Sequence, residues 1–167
     1  MHSSKLHVVA FVLAVALVAS FVTQTSTASG EGNPIVTFNT MAPVTGPFVG
    51  TANPIRGING GGLPWAIANG NGVLHADGKL DVNVHGLVLA AGPNTGKNPI
   101  PTFRAVVSCL SVSNGNPTTV NVSTDPFAAT TTGDAHIHAR LALPSPCIAP
   151  IIFVTSPTGA WFAATGN

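Results

Sequence analysis

The segment "TGDAHIHAR", residues 132–140, sets two imidazoles two positions apart. Alternate side chains of a β-strand leave on the same face. As a strand, the segment lines Asp134, His136, His138 and Arg140 on one side. Ala135, Ile137, Ala139, Leu141 and Leu143 line the other. The apolar set belongs to a core, and the polar set faces solvent or a cleft. Two imidazoles projecting the same way can chelate one metal ion. A tight zinc or copper site takes a third protein ligand, preferably His, Cys or a carboxylate. After residue 29 the only other histidines are His75 and His85.

The stretch that must position those two reads "NGVLHADGKLDVNVHGLVLAA", residues 71–91. Asp77-Gly78 is a strong two-residue hairpin signal, because both central positions need φ > 0. That turn pairs Ala76 with Lys79, His75 with Leu80 and Leu74 with Asp81. It sends His75 inward with Val73, Leu80, Val82 and Val84. His85 goes to the other face with Asp81 and Asn83. The expected metal set is therefore His136, His138 and His85, with Asp81 as a fourth ligand. The plainer reading of the same residues is the solvated face of an antiparallel strand, with no cofactor.

No long segment repeats every 3.6 residues. Short Val/Thr/Ile-rich runs alternate with Gly, Pro and Asn clusters, which is the pattern of an all-β domain. Beyond the hairpin, strands are expected near Ile35–Asn39, Trp65–Asn69, Phe103–Ser113, Thr118–Thr124, Ala135–Leu143, Ile148–Thr155 and Ala160–Thr165. About eight strands at this spacing predict a single antiparallel β-sandwich of Greek-key or immunoglobulin-like type, with a closed β-barrel as the alternative. "RGINGGGLP", "GPNTGKNPIP" and "STDPFAATTTGD" are expected as exposed connections.

The chain begins with Lys5 in a basic start, an uncharged apolar run from Val8 to Val22, and the small-residue stretch "TQTSTASG". That order reads as a secretory signal peptide over residues 1–29, cut after Ala28 or Ser29. The apolar run is shorter than the ~20 residues that span a bilayer, so no integral membrane segment is expected after cleavage. Residues 30–167 then form one secreted β domain. All 18 Gly and 14 Pro lie there, yet apolar residues recur in every segment. Disordered chains show the reverse, so this one folds.

In that domain Arg56, Lys79, Lys97, Arg104 and Arg140 balance Glu31, Asp77, Asp81, Asp125 and Asp134. A chain without a basic patch neutralises few phosphates, which excludes nucleic acid as a partner. Net charge near zero also removes repulsion between copies. Self-association, or attachment to a cell-envelope or matrix component, is the expected kind of contact.

Cys109 and Cys147 are the only cysteines, and an even pair in an exported chain reads as one disulfide. "GINGGG" lacks the Lys-Ser/Thr of a phosphate loop, and no Gly-x-Ser-x-Gly elbow occurs. Of the acids only Asp81 and Asp134 are placed to share a cleft, as paired-carboxylate hydrolysis requires. Asn121-Val122-Ser123 has the form of a glycosylation acceptor. Trp65, Trp161 and Phe162 could stack on sugars, but such positions more often pack a core.

"AHIH" resembles the Ala-His-Ile-His segment of CHRD domains, secreted β modules named after chordin, but lacks the Gly that usually follows. "LPSPCIAPIIFVTSPTGAWFAATG" resembles the C-terminus of small exported bacterial proteins of unknown function. The first resemblance implies an extracellular β domain without assigned catalysis; the second implies export and no site residues. Together these features predict a secreted, non-catalytic β domain acting as a cell-surface or extracellular structural or interaction protein. An extracellular zinc- or copper-binding protein is the alternative, and a secreted hydrolase the second.

Overall fold

In the computed structural model, residues 32–165 are described, and the expected signal segment 1–29 lies outside them. The strands among the described residues are β1 (Pro34–Phe38), β2 (Met41–Pro43), β3 (Trp65–Ala66), β4 (Asn69–His75), β5 (Lys79–His85) and β6 (Val88–Leu89). They continue with β7 (Thr102–Ser113), β8 (Asn116–Ser123), β9 (Phe127–Ala128), β10 (Ala135–Arg140), β11 (Ile148–Thr155) and β12 (Trp161–Thr165). The longer strands fall where the apolar periodicity places them. The expected strand over Trp65–Asn69 instead divides, because β3 ends at Ala66 and β4 starts at Asn69.

Every strand pairing is antiparallel. One sheet runs β1-β4-β5-β10; a second runs β2-β12-β11-β7-β8 with β9 beside β7. A two-stranded ribbon, β3-β6, stands apart from both. The sheets do not close into a barrel, and the fold is a β-sandwich. Leu74, Leu80, Val82, Val84 and Ile137 of the first sheet share one core with Phe103, Ala105, Val107, Ile152 and Val154 of the second.

The middle of the second sheet is buried on both faces. Every residue of β12 is buried, and β11 is buried from Ile152 to Thr155. A bulge serves this arrangement, since Val154 pairs with Ala163 and Thr155 with Trp161, leaving Phe162 as the extra residue. Phe162 turns inward and stacks on Trp65, with ring centroids 4.0 Å apart. Trp161 turns outward onto Phe48 and Phe153. The segment from Phe48 to Gly61 lies over that outer side. The Arg56 guanidinium donates to the Ser108 carbonyl at 2.7 Å, and Gly61 N–H donates to the Trp161 carbonyl at 2.9 Å. Gly60 fits only because it lacks a side chain: a Cβ there would stand 1.9 Å from the Phe48 oxygen.

The β4–β5 hairpin corrects the expected register. Leu74 pairs with Leu80 and Val73 with Asp81, one residue away from the two-residue-turn prediction. Asp77 does not take positive φ, whereas Gly78 does, at +85°. The connection is thus the three-residue loop Ala76-Asp77-Gly78, a type I turn closed by a left-handed glycine. A Cβ on Gly78 would stand 1.8 Å from the Leu141 oxygen, so the turn also needs glycine for space. The true two-residue turn is Asn114-Gly115 between β7 and β8, with φ of +50° and +78°. There Ser113 pairs with Asn116, as that turn dictates.

Cys109 and Cys147 form the disulfide, which ties β7 to the segment entering β11 across a separation of 38 residues. Cross-linking a loop of that length removes denatured-state entropy worth up to about 4 kcal/mol on the chain-entropy model. The double variant Cys109→Ala/Cys147→Ala is expected to lose a comparable amount in urea unfolding. An unchanged urea midpoint would count against the bridge as a stabilising element.

Candidate functional site

The outer face of the first sheet gathers all four histidines of the described residues. Strand β10 pairs with β5 so that His136 stands opposite Asn83 and His138 opposite Asp81. Parity behaves as expected on β10: Ile137 is fully buried, while His136 and His138 are exposed. His85 and Asp81 share that outer face on β5, between buried Leu80, Val82 and Val84.

His75 departs from its expected inward position. The one-residue change of register puts Leu74, not His75, into the core beside Leu80. His75 is left half-buried near the outer face, hydrogen-bonded through Nδ1 to the Gly32 carbonyl.

Each acid on the face has its own partner. The His136 imidazole Nε2–H donates to Asp81 Oδ2 at 2.9 Å, and Asn83 donates to Asp81 Oδ1 at 3.2 Å. One row along, His85 Nδ1 lies 3.5 Å from Asp134 Oδ1. At the turn end Arg140 donates to Asp77 Oδ2 at 2.7 Å. The rings of His136 and His138 are 5.2 Å apart, and His138 meets the Phe127 ring of β9 at the same centroid distance.

The expected quartet is therefore on one face and on neighbouring strands, but it divides into separate pairs. Among the described residues no three His, Cys, Asp or Glu side chains are grouped so as to hold a metal ion. The two acids that a hydrolase would need, Asp81 and Asp134, are each held by a different imidazole.

Asp134 is the most elaborately held of these side chains. Its carboxylate accepts from Thr132 at 2.7 Å, from the Gly86 N–H at 3.1 Å and from Thr130 at 3.3 Å. It thereby fastens the turn before β10 to the end of β5. Those Thr residues were legible only as part of an exposed connection. Their signal is local, hydroxyls two and four residues before an Asp, which is the spacing of side-chain-closed turns.

The three aromatics offered as stacking residues are core. Trp65, Trp161 and Phe162 are each 3–4% exposed. The depressions on the surface are wide and shallow in character. One of about 370 Å³ lies beside the disulfide and is lined by Ile35, Asp77, Leu141 and Leu143, among others. Another of about 360 Å³ has Leu63, Leu89 and Ile100 around the edge of Trp65.

The chain matches no protein-family model, no curated protein and no solved structure. Its site is therefore read from its own geometry. No helix among the described residues is long and apolar enough to cross a membrane.

Hydrogen bonds from Thr132, then from the Gly86 backbone, hold Asp134 below the usual carboxylate range. The backbone N–H of Lys79, then the Arg140 side chain, do the same for Asp77. Both acids bind protons less readily folded than unfolded. Their stabilisation is complete above the ordinary carboxylate pKa of about 3.9 and is lost as pH falls through the lower folded value. Asp134→Asn is therefore expected to lower the urea midpoint at neutral pH, by a difference that shrinks as the pH is taken down through the acid range. A difference that persists undiminished in acid would contradict this assignment.

Proposed function

We propose that this protein is an extracellular, non-catalytic β-sandwich that works by association, at a cell surface or within an extracellular assembly. The observation that supports this reading is the segregation of charge between its two sheets. The first sheet carries Lys79, Asp81, Arg140 and all four histidines of the described residues. Among the strands of the second, Arg104 is the only charged residue. On that sheet Leu110, Val112 and Ile148 are 42%, 49% and 54% exposed, and Leu110 and Ile148 are direct cross-strand partners. Exposed apolar residues that cluster, rather than scatter, mark contact surfaces.

The purified chain is expected to self-associate or to be retained by envelope or matrix fractions, and Leu110→Asp is expected to weaken that retention. Leu110 is exposed, so the substitution leaves the core intact. A chain that stays monomeric at high concentration and binds neither fraction would overturn the reading.

One observation favours a second reading, zinc or copper binding. The His136 nitrogen and the Asp81 oxygen already approach to 2.9 Å, with the His138 ring 5.2 Å from that of His136. On this reading calorimetric titration shows binding that His136→Ala removes. Equal titration curves for parent and variant would leave the histidines as a solvated strand face.

A further inference from the structure

The association reading leaves open which surface meets which partner, and the edges of the sandwich answer differently. We infer that β8 is a self-pairing edge: it joins antiparallel to β8 of a second copy about a two-fold axis, merging their second sheets. This rests on the association reading and deepens it.

An edge strand presents a row of unpaired backbone donors and acceptors, which folded proteins guard with charge, proline, bulges or brevity. Of the four edges of the two large sheets, three are guarded. Strand β1 starts at Pro34 and has a register break between Pro34 and Val36. Strand β2 is three residues long. Strand β10 carries His136, His138 and Arg140. Strand β8 is eight residues long, pairs only with β7, and holds no charged side chain. Its single guard, Pro117, sits at the second position and leaves Thr118–Ser123 open.

The side chains around that edge fit a second copy better than a charged partner. Alternation along β7 puts Val106, Ser108, Leu110 and Val112 on one face, and the register is unbroken from Val106 to Ser113. The first two are buried, and the last two emerge bare beyond them. Their β8 partners are Thr119 and Pro117, both exposed. From Ala105 to Thr124 the chain carries no ionisable acid or base, and Arg56, which reaches this region, is engaged with the Ser108 carbonyl while its own carbonyl accepts from Asn121. A two-fold axis perpendicular to the sheet keeps equivalent faces on one side. The Ile148-Leu110 pair of each copy then lies in one row across the merged sheet, with the exposed Thr119 of each β8 between the two pairs.

Thr119 is exposed at the centre of β8, so the two copies of its side chain stand opposite or diagonal across the axis, within reach of one another. Sedimentation equilibrium of the purified chain should show a dimer. Thr119→Lys should weaken dimerisation by up to about fivefold, as like charges placed across a strand pair do. Thr119→Glu should do the same, and an equimolar mixture of the two variants should recover a heterodimer. Unchanged circular dichroism of each variant separates this from misfolding. A parent that is monomeric at ~100 μM, well above the micromolar range of specific contacts, would overturn the proposal. So would a parent dimer indifferent to both substitutions, or a mixture that stays monomeric. In those cases retention on envelope or matrix fractions that Leu110→Asp weakens would still support the association reading by itself.

Discussion

The middle of the second sheet is packed on both faces, and most of the molecule follows from that. A strand with cores on both sides loses the alternation of polar and apolar residues and becomes a continuous apolar run. "IIFVT" and "WFAAT" are such runs, and they are buried almost throughout. No ion can sit inside them without a partner, so the charges of the domain lie elsewhere: on the first sheet, in the loops, and at Arg104, whose guanidinium reaches the Pro157 carbonyl. The cover over the outer side comes from a stretch without regular strands, held by Arg56, Phe48 and the glycine contacts of Gly60 and Gly61. The disulfide pins β7 to the approach to β11, where that cover no longer extends.

The first sheet has the opposite economy. Only its inner face is buried, so its strands alternate cleanly, and alternation is what a sequence exposes most directly. The outward direction of Asp134, His136, His138 and Arg140 was legible for that reason, as were Asp81 and His85 on β5. The register of β4 was not. Asp77-Gly78 and Asn114-Gly115 look alike as dipeptides, yet only the second adopts two consecutive positive φ values. The first is fastened from outside: the Leu141 N–H donates to the Gly78 carbonyl at 2.9 Å, and Arg140 holds Asp77. A tertiary contact thus chose the longer loop, and the extra residue moved His75 out of the core. The same limit applies to the candidate ligands. Parity gives the face of a side chain, but its partner depends on strand order, and β10 lies beside β5 from 50 residues or more along the chain.

The short strands and the loop cover are illegible for a related reason. Two- or three-residue strands such as β2, β3, β6 and β9 have no periodicity to read, and they exist because neighbours supply their hydrogen bonds. "TFRAVVSCLSV" read as a strand, but nothing within it announces that Val106 and Ser108 are covered while Leu110 and Val112 are not. That difference is made by Arg56, more than 50 residues earlier in the chain, reaching the Ser108 carbonyl. The apolar patch is therefore a boundary effect, the part of an intrinsically two-sided sheet that the covering segment does not reach.

This boundary bears on how the two sheets divide the work. On the first sheet the imidazoles and carboxylates are largely occupied with one another, and those pairs hold β5 to β10 and the turns to both. A pair between half-exposed groups contributes little to stability, because water screens it. It does, however, fix which side chains are available to an incoming ligand, and it leaves few. On the second sheet there is no such mutual satisfaction at β8: the backbone edge is open, the neighbouring apolar side chains are bare, and the strand itself carries no charge. An unfilled hydrogen-bonding edge next to unburied apolar surface gains more from a protein strand than from water, since pairing satisfies the backbone while desolvating the side chains together. On the proposed association reading, the physical asymmetry between the sheets assigns contact to the second and leaves the first as the solvated side.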